Sequence, residues 1–218
     1  MKRREFSLQV AAAGLGPVSA ALWTAPAVAQ GGPVEGTHYT KLSQPVPVTV
    51  PAGKVEVIEF FSYGCPHCNA LEPTLELWAK KLPPDAVLKR VPVGFNALYE
   101  NYQKIFYALE AMGQLDSMHQ KVFNAIHQQR LRLDKDADIA AFMTANGIDG
   151  AKFVELYKSF TVQTKAKQAQ QLSQAYKIEG VPTLAVQGRY TTTGSQAGSN
   201  ERALAVTDAL IQLARKPG

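Results

Sequence analysis

The sequence predicts an α/β fold in which a long helical block interrupts a single sheet domain. Three observations predict it. Lys54-Val55-Glu56-Val57-Ile58-Glu59-Phe60-Phe61 is β-branched and aromatic, and nearly continuous in apolar character at its end, as a buried central strand should be. From Asn96 to about Tyr176 apolar residues recur at helical spacing. After Gly180 two short strand patterns and an amphipathic helix close the chain. No internal repeat or low-complexity linker sets the helical block apart, so it reads as an insertion within one domain.

The N-terminus stands outside that fold. Lys2, Arg3 and Arg4 form a basic start, a weakly apolar stretch runs from Leu8 to about Trp23, and Ala27-Val28-Ala29 fits an A-x-A cleavage site. Residues 1–29 therefore read as a cleaved signal peptide, with Gln30 opening the mature chain. Gly14, Gly16 and Pro17 make the stretch a poor membrane anchor, which weighs against an uncleaved tail. Arg3-Arg4-Glu5-Phe6 resembles the twin-arginine R-R-x-F pattern, yet an arginine pair is common in any basic start; both export routes stay open. The mature product is expected outside the cytoplasm, with a net charge of 20 − 17 = +3. That charge is small and spread along the chain, so nucleic acid is not an expected partner.

The remaining elements follow in order. Thr37 to Leu42 reads as a short edge strand, and Pro45, Pro47 and Pro51 punctuate an extended linker. Past the central strand, Leu71, Leu75, Trp78 and Leu82 mark a helix that Pro83-Pro84 stops. Ala86 to Val93 is a second strand. In the helical block, Tyr102, Ile105, Leu109 and Met112 form one stripe, and Leu115, Met118, Val122 and Ile126 the next. Asp136 or Asp138 caps a third helix that Asn146-Gly147 closes; Phe153, Leu156, Tyr157 and Phe160 mark a fourth. A Gln-rich helix from Val162 to Tyr176 turns Ala166, Ala169 and Leu172 inward. Leu184 to Gln187, a tight turn at Gly188-Arg189, and Tyr190 to Thr193 form a strand pair. Gly198-Ser199-Asn200 starts the last helix, with Ala203, Val206, Leu210 and Leu213 inward.

Cys65 and Cys68 are the only cysteines, too few for a disulfide scaffold or a four-thiolate zinc site. They sit two residues apart where the central strand meets its helix. A cysteine there faces unpaired backbone N–H groups and the positive end of the helix dipole, which stabilise its thiolate. Pro66 suits the first helical position, where no N–H is needed. His67 adds a donor, and a positive charge when protonated. Cys68 lies one step inward. Cys65 is thus the sulfur that attacks or is attacked, and Cys68 the resolving one. A zinc half-site is the bland alternative, but His38, His119 and His127 have no ligand-like spacing to the pair, and no metal is expected. A purely structural bridge across so short a loop would restrict the unfolded chain little.

Phe60-Phe61-Ser62-Tyr63-Gly64-Cys65-Pro66-His67-Cys68 resembles the active site of the DsbA thiol-disulfide oxidoreductases. The resemblance implies a thioredoxin fold in two parts, residues 30–95 and 177–218, around an inserted all-helical domain at 96–176. It implies a periplasmic oxidase that donates a Cys65–Cys68 disulfide to unfolded exported proteins with free thiols. No cofactor is implied beyond that redox-active disulfide. The implied partner is a DsbB-like membrane quinone reductase, and the implied state a monomer. Val181-Pro182 matches the family's cis-proline loop, which faces the cysteines and offers backbone to an extended substrate; alone, Gly180-Val181-Pro182 would read as an ordinary trans proline opening an edge strand. Glu59 matches a buried acid beneath the cysteines. Arg90 stands nearest the position of its basic partner, with Lys89 beside it. Burial would raise the proton affinity of Glu59 and let it relay a proton to or from Cys68; the alternative is an acid facing solvent on an edge strand.

Two departures stand out. Gly64 occupies a place where an aromatic is common, which would flatten the surface around the exposed sulfur. Phe95, Tyr99 and Tyr102 line a substrate groove or, as helical spacing more often means, belong to the core. Other activities stay in view. An isomerase of this superfamily usually adds a dimerisation domain, for which Gln30 to Thr49 leaves no room. A periplasmic chaperone or metal carrier would use groove or thiols without turnover, and equilibrium dialysis with zinc or copper separates it.

Overall fold

The computed structural model describes residues 31–216, so the expected signal peptide lies outside the described residues. Gly32 onward forms one compact unit. Five strands make one mixed sheet: β1 (Thr40–Lys41), β2 (Val55–Phe61), β3 (Ala86–Pro92), β4 (Thr183–Val186) and β5 (Tyr190–Thr193), in the order β1-β5-β4-β2-β3. β2 runs parallel to β3 and antiparallel to β4. Helix α1 (Pro66–Ala79) connects β2 to β3, the crossover a parallel pair requires. Between β3 and β4 lie α2 (Ala97–Ala111), α3 (Leu115–His127), α4 (Asp136–Ala145), α5 (Gly150–Tyr157) and α6 (Phe160–Ala175). A short α7 (Gly194–Ala197) and α8 (Asn200–Ala214) end the chain.

Every residue of β2 is buried. The strand is sandwiched, and its alternation divides two cores. Ile58 and Phe60 join the larger core with α2, α3 and α6, whereas Val55 and Val57 join Leu71, Leu75, Leu210 and Ile211 in the smaller one. Removing a side chain such as Phe60 from water stabilises the fold by roughly 1.5–3 kcal/mol. Trp78 donates its indole N–H to Asp208 at 2.9 Å and pins α1 to α8.

Several expectations need correction. α1 ends at Ala79, before Leu82, because its last N–H groups tighten into turns: Lys81 N–H reaches Trp78 O and Leu82 N–H reaches Ala79 O. Asp136 and Asp138 occupy the first turn of α4 and do not cap it; the capping position is Lys135, without a side-chain bond. They still favour that helix through its dipole. Phe160 is 86% exposed. Ser159 caps a new helix there, so the chain changes direction and the Phe153 stripe ends at Tyr157. Leu213 lies in the last turn of α8 and is 37% exposed, not turned inward. Asn146 and Gly147 do close α4, with Gly147 at φ +82°.

Candidate active site

The end of β2 delivers Cys65 through a tight turn. Cys65 N–H donates to Ser62 O at 3.0 Å, and Gly64 N–H to Ser62 Oγ at 3.2 Å. Gly64 has a steric reason to be glycine. A Cβ there would stand 2.7 Å from the Tyr99 ring and 2.8 Å from the Tyr102 ring. The room left by the missing side chain is therefore filled from α2, and is not a flattened surface. Tyr102 is buried, Tyr99 half-buried and Phe95 46% exposed, so the three aromatics do not form one surface.

Cys65 is the N-cap of α1, Pro66 is its first residue, and no side chain caps the turn. The free N–H groups serve the sulfur instead. The Cys65 thiol is lowered to about 6, first by the hydrogen bond from Cys68, then by the backbone N–H groups of Cys68 and His67 and the charge of His67; burial opposes them. The Cys65 thiol also donates to Val181 O at 3.3 Å, a contact that favours the neutral form but is outweighed. Cys68 is fully buried, and burial first, then the Cys65 sulfur and Glu59, push its thiol far up. Two sulfurs one turn apart thus have opposite proton affinities. Cys65 itself is 6% exposed, less than expected of the outer sulfur, because the Val181 loop leans over it.

The Val181–Pro182 bond is cis. Exposed His67 and half-buried Val181 and Pro182 share a cleft of about 470 Å³ with Thr193, Ser195 and Asn200. The cleft adjoins both the cysteine helix and the proline loop.

Glu59 points to the α1 side of β2, the same parity as Val55 and Val57. It is fully buried, and its exposure on an edge strand is excluded. Its cross-strand partner on β3 is Arg90, whose Nε lies 3.4 Å from Glu59 Oε2. Lys89 has the opposite parity and pairs with Glu56 at 3.5 Å. Burial raises Glu59 to about 8, helped by Glu72 and Glu76 and opposed by Arg90. Neither oxygen of Glu59 accepts a hydrogen bond from the described residues, as suits a carboxylic acid.

Sequence reading missed part of this cluster. Glu72, on α1, is fully buried and takes Arg90 Nη2 at 2.6 Å. Glu76 takes the same nitrogen at 2.5 Å. Tyr63 is buried, with its hydroxyl 2.8 Å from His119 Nδ1. His127 Nε2 donates to Tyr63 O at 2.8 Å, so two histidines of α3 hold the residue two before Cys65. The available signal was helical spacing: Glu72 follows Cys68 by one turn, on the same face of α1. Among the described residues no three His, Cys, Asp or Glu side chains are placed to hold a metal ion.

Known proteins match this chain closely. A family model described as the DSBA-like thioredoxin domain matches residues 78–201. The thiol:disulfide interchange protein DsbA of Bordetella pertussis is 42% identical over 217 residues, covering 99% of this chain and 100% of the relative. DsbA of Pseudomonas aeruginosa is 41% identical over 180 residues, 83% of this chain and 85% of that protein. The crystal structure of Pseudomonas aeruginosa DsbA superposes with a TM-score of 0.79 at 40% identity, covering 83% of this chain and 93% of that one. The oxidoreductase DsbA from Xylella fastidiosa gives a TM-score of 0.78 at 28% identity, over 84% and 98% of the two chains. With its two cysteines at the head of α1 and the cis proline beside them, the chain belongs to the DsbA family of thiol:disulfide interchange proteins, disulfide oxidoreductases with a thioredoxin fold.

Proposed function

We propose that the chain works in the periplasm, after cleavage of residues 1–29, and passes a Cys65–Cys68 disulfide to unfolded exported proteins that carry free thiols. The observation that carries this reading is the opposed proton affinity of the two sulfurs. Cys65 is lowered to about 6 and Cys68 is raised by burial. A low-affinity outer thiolate stabilises the reduced protein, and a protein more stable when reduced is an oxidant.

The exchange runs in two steps. A substrate thiolate attacks Cys65 Sγ; the new sulfur–sulfur bond forms as the Cys65–Cys68 bond breaks. Cys68 leaves with the electron pair. Because a buried, high-affinity thiolate is a poor leaving group, it needs a proton. Glu59, protonated up to about pH 8, supplies it with the help of water. A second substrate thiolate then attacks the first substrate sulfur and expels Cys65 as a thiolate. The substrate is oxidised by two electrons and the Cys65–Cys68 pair is reduced by two. Pro66 and His67 shape the turn that holds Cys65, and the Val181–Pro182 backbone aligns the extended substrate beside it.

The same reading assigns residues 30–95 and 177–218 to the thioredoxin part and 96–176 to the helical insertion. It makes the protein a monomer without cofactor or metal, reoxidised by a DsbB-like membrane quinone reductase. The test is the equilibrium of residues 30–218 with glutathione buffers, read by mass spectrometry of alkylated thiols. A potential well above the glutathione poise is expected, with Cys65→Ser inert in exchange. A potential close to that of thioredoxin would instead mean a reductase or isomerase.

A further inference from the structure

Three buried side chains and one half-buried one, Arg90, form one charge cluster between α1, β2, β3 and α3. Glu59 and Glu72 are its acids, Arg90 and His119 its bases. His119 Nε2 lies 3.4 Å from Glu72 Oε1, the oxygen that Arg90 also holds. The other ring nitrogen faces the Tyr63 hydroxyl. A neutral imidazole accepts from Tyr63 O–H at Nδ1 and turns Nε2–H toward Glu72 without closing a hydrogen bond to it. An imidazolium fits the same place, with the Tyr63 oxygen accepting. The site therefore suits either form without rearrangement.

Uncompensated charge is costly in such a place. With Glu72 ionised and Arg90 charged, the four groups are neutral when a single proton sits on Glu59, or when that proton sits on His119. The two seats differ in access. A surface cleft of about 390 Å³ has Glu72, Arg90 and His119 in its wall, with exposed Lys80 and Asp116 at its rim, whereas Glu59 and Cys68 are not part of that wall. The charged and titratable groups around His119 are Tyr63, Glu72, Glu76, Lys80, Arg90 and Asp116. Those at the rim are screened by water.

We propose that Glu59 and His119 are alternative seats of one proton, His119 being the one that exchanges with solvent. It is a positioning residue that acts on Cys68 through Glu72 and Glu59. The proposal rests on the reading of Glu59 as proton donor to Cys68. When Glu59 gives its proton to the leaving Cys68 thiolate, His119 takes one from hydronium or a buffer acid that reaches it through the cleft, and the four groups stay neutral. Reoxidation reverses both transfers.

The experiment is the single-turnover reduction of the oxidised chain by dithiothreitol across pH, stopped by alkylation. His119→Gln keeps a donor for Glu72 and an acceptor for Tyr63 but cannot carry the proton. It is expected to slow the reaction about tenfold, the effect of one unit of proton affinity, and to change the pH profile. His119→Ala should be as slow. Added imidazoles should restore it, in an order that follows their basicity, because the cleft admits them. A His119→Gln protein with the wild-type rate and profile overturns the proposal. If His119→Gln does not fold, His119→Ala decides: rescue that ignores imidazole basicity overturns it. Glu59→Gln in the same assay separates the two readings. At the wild-type rate it removes the Glu59 role and this proposal together; slow beside an unaffected His119→Gln, it removes this proposal alone.

Discussion

Glu56 and Glu59 stand three residues apart on the same strand and both are buried, yet they face opposite environments. Glu56 belongs to the parity of Ile58 and Lys89. Its Oε2 accepts from Thr49 Oγ1 at 2.8 Å and Thr49 N–H at 3.3 Å, with Lys89 Nζ at 3.5 Å. It is a satisfied acid that ties the linker before β2 to the sheet. Glu59 has no hydrogen bond from the described residues, shares one guanidinium with Glu72 and Glu76, and lies under the cysteine helix. Burial alone does not make a carboxylate reactive. A full set of donors makes it a fastener; the lack of donors, beside other acids, makes it hold a proton at neutral pH.

The sharpest way to break the comparison is at Arg90. Arg90→Met leaves Glu59 and Glu72 without their shared cation. We expect a loss of about 3–5 kcal/mol in denaturant unfolding of the oxidised protein, growing as pH rises and the acids ionise. A loss under about 1 kcal/mol would mean that the acids hold protons without help.

Glu59→Gln should act in the opposite sense. The folded acid keeps its proton to about pH 8, while the unfolded one releases it near 4.5. The raised folded affinity favours the folded state fully below 4.5 and is lost as pH rises through 8. Wild-type stability therefore falls across that window relative to the variant, by up to about 5 kcal/mol. Unfolding midpoints at pH 4 and pH 9 check this, and parallel curves for both proteins would contradict it.

Glu56→Ala should show the smallest effect and no link to the chemistry. It hands the exposed Thr49 donors to water and is expected to cost about 1 kcal/mol, while the pH profile of disulfide exchange stays as in the wild type. A shifted profile would erase the distinction between the two acids.

How far these roles were legible in the sequence differs from residue to residue. Cys65 and Pro66 were readable because helix ends depend on neighbours in the chain: a strand, a turn and an uncapped first turn lie within a few residues. Glu59 was readable only through the resemblance. Its residue pattern put it on a strand read as central yet left a buried and an exposed position open, since side chains alternate along a strand. Arg90 and Lys89 were both candidates until the β2–β3 register assigned Arg90 to Glu59 and put Lys89 on the other face. Glu72, Tyr63 and His119 had no local signal strong enough to join them.

The sequence by itself determined the order of strands and helices, the break after the second strand, and the placement of two cysteines at a helix N-terminus. These follow from hydrophobic periods of 2 and 3.6 and from capping, which act over one or two turns. Only the tertiary structure decided which acids share a cation, which histidines hold Tyr63, and why Phe160 points to water. Residues 59, 72, 90 and 119 meet because β2, α1, β3 and α3 pack together. Charge interactions in a low-dielectric interior depend on distance through space, and no spacing along the chain encodes that distance.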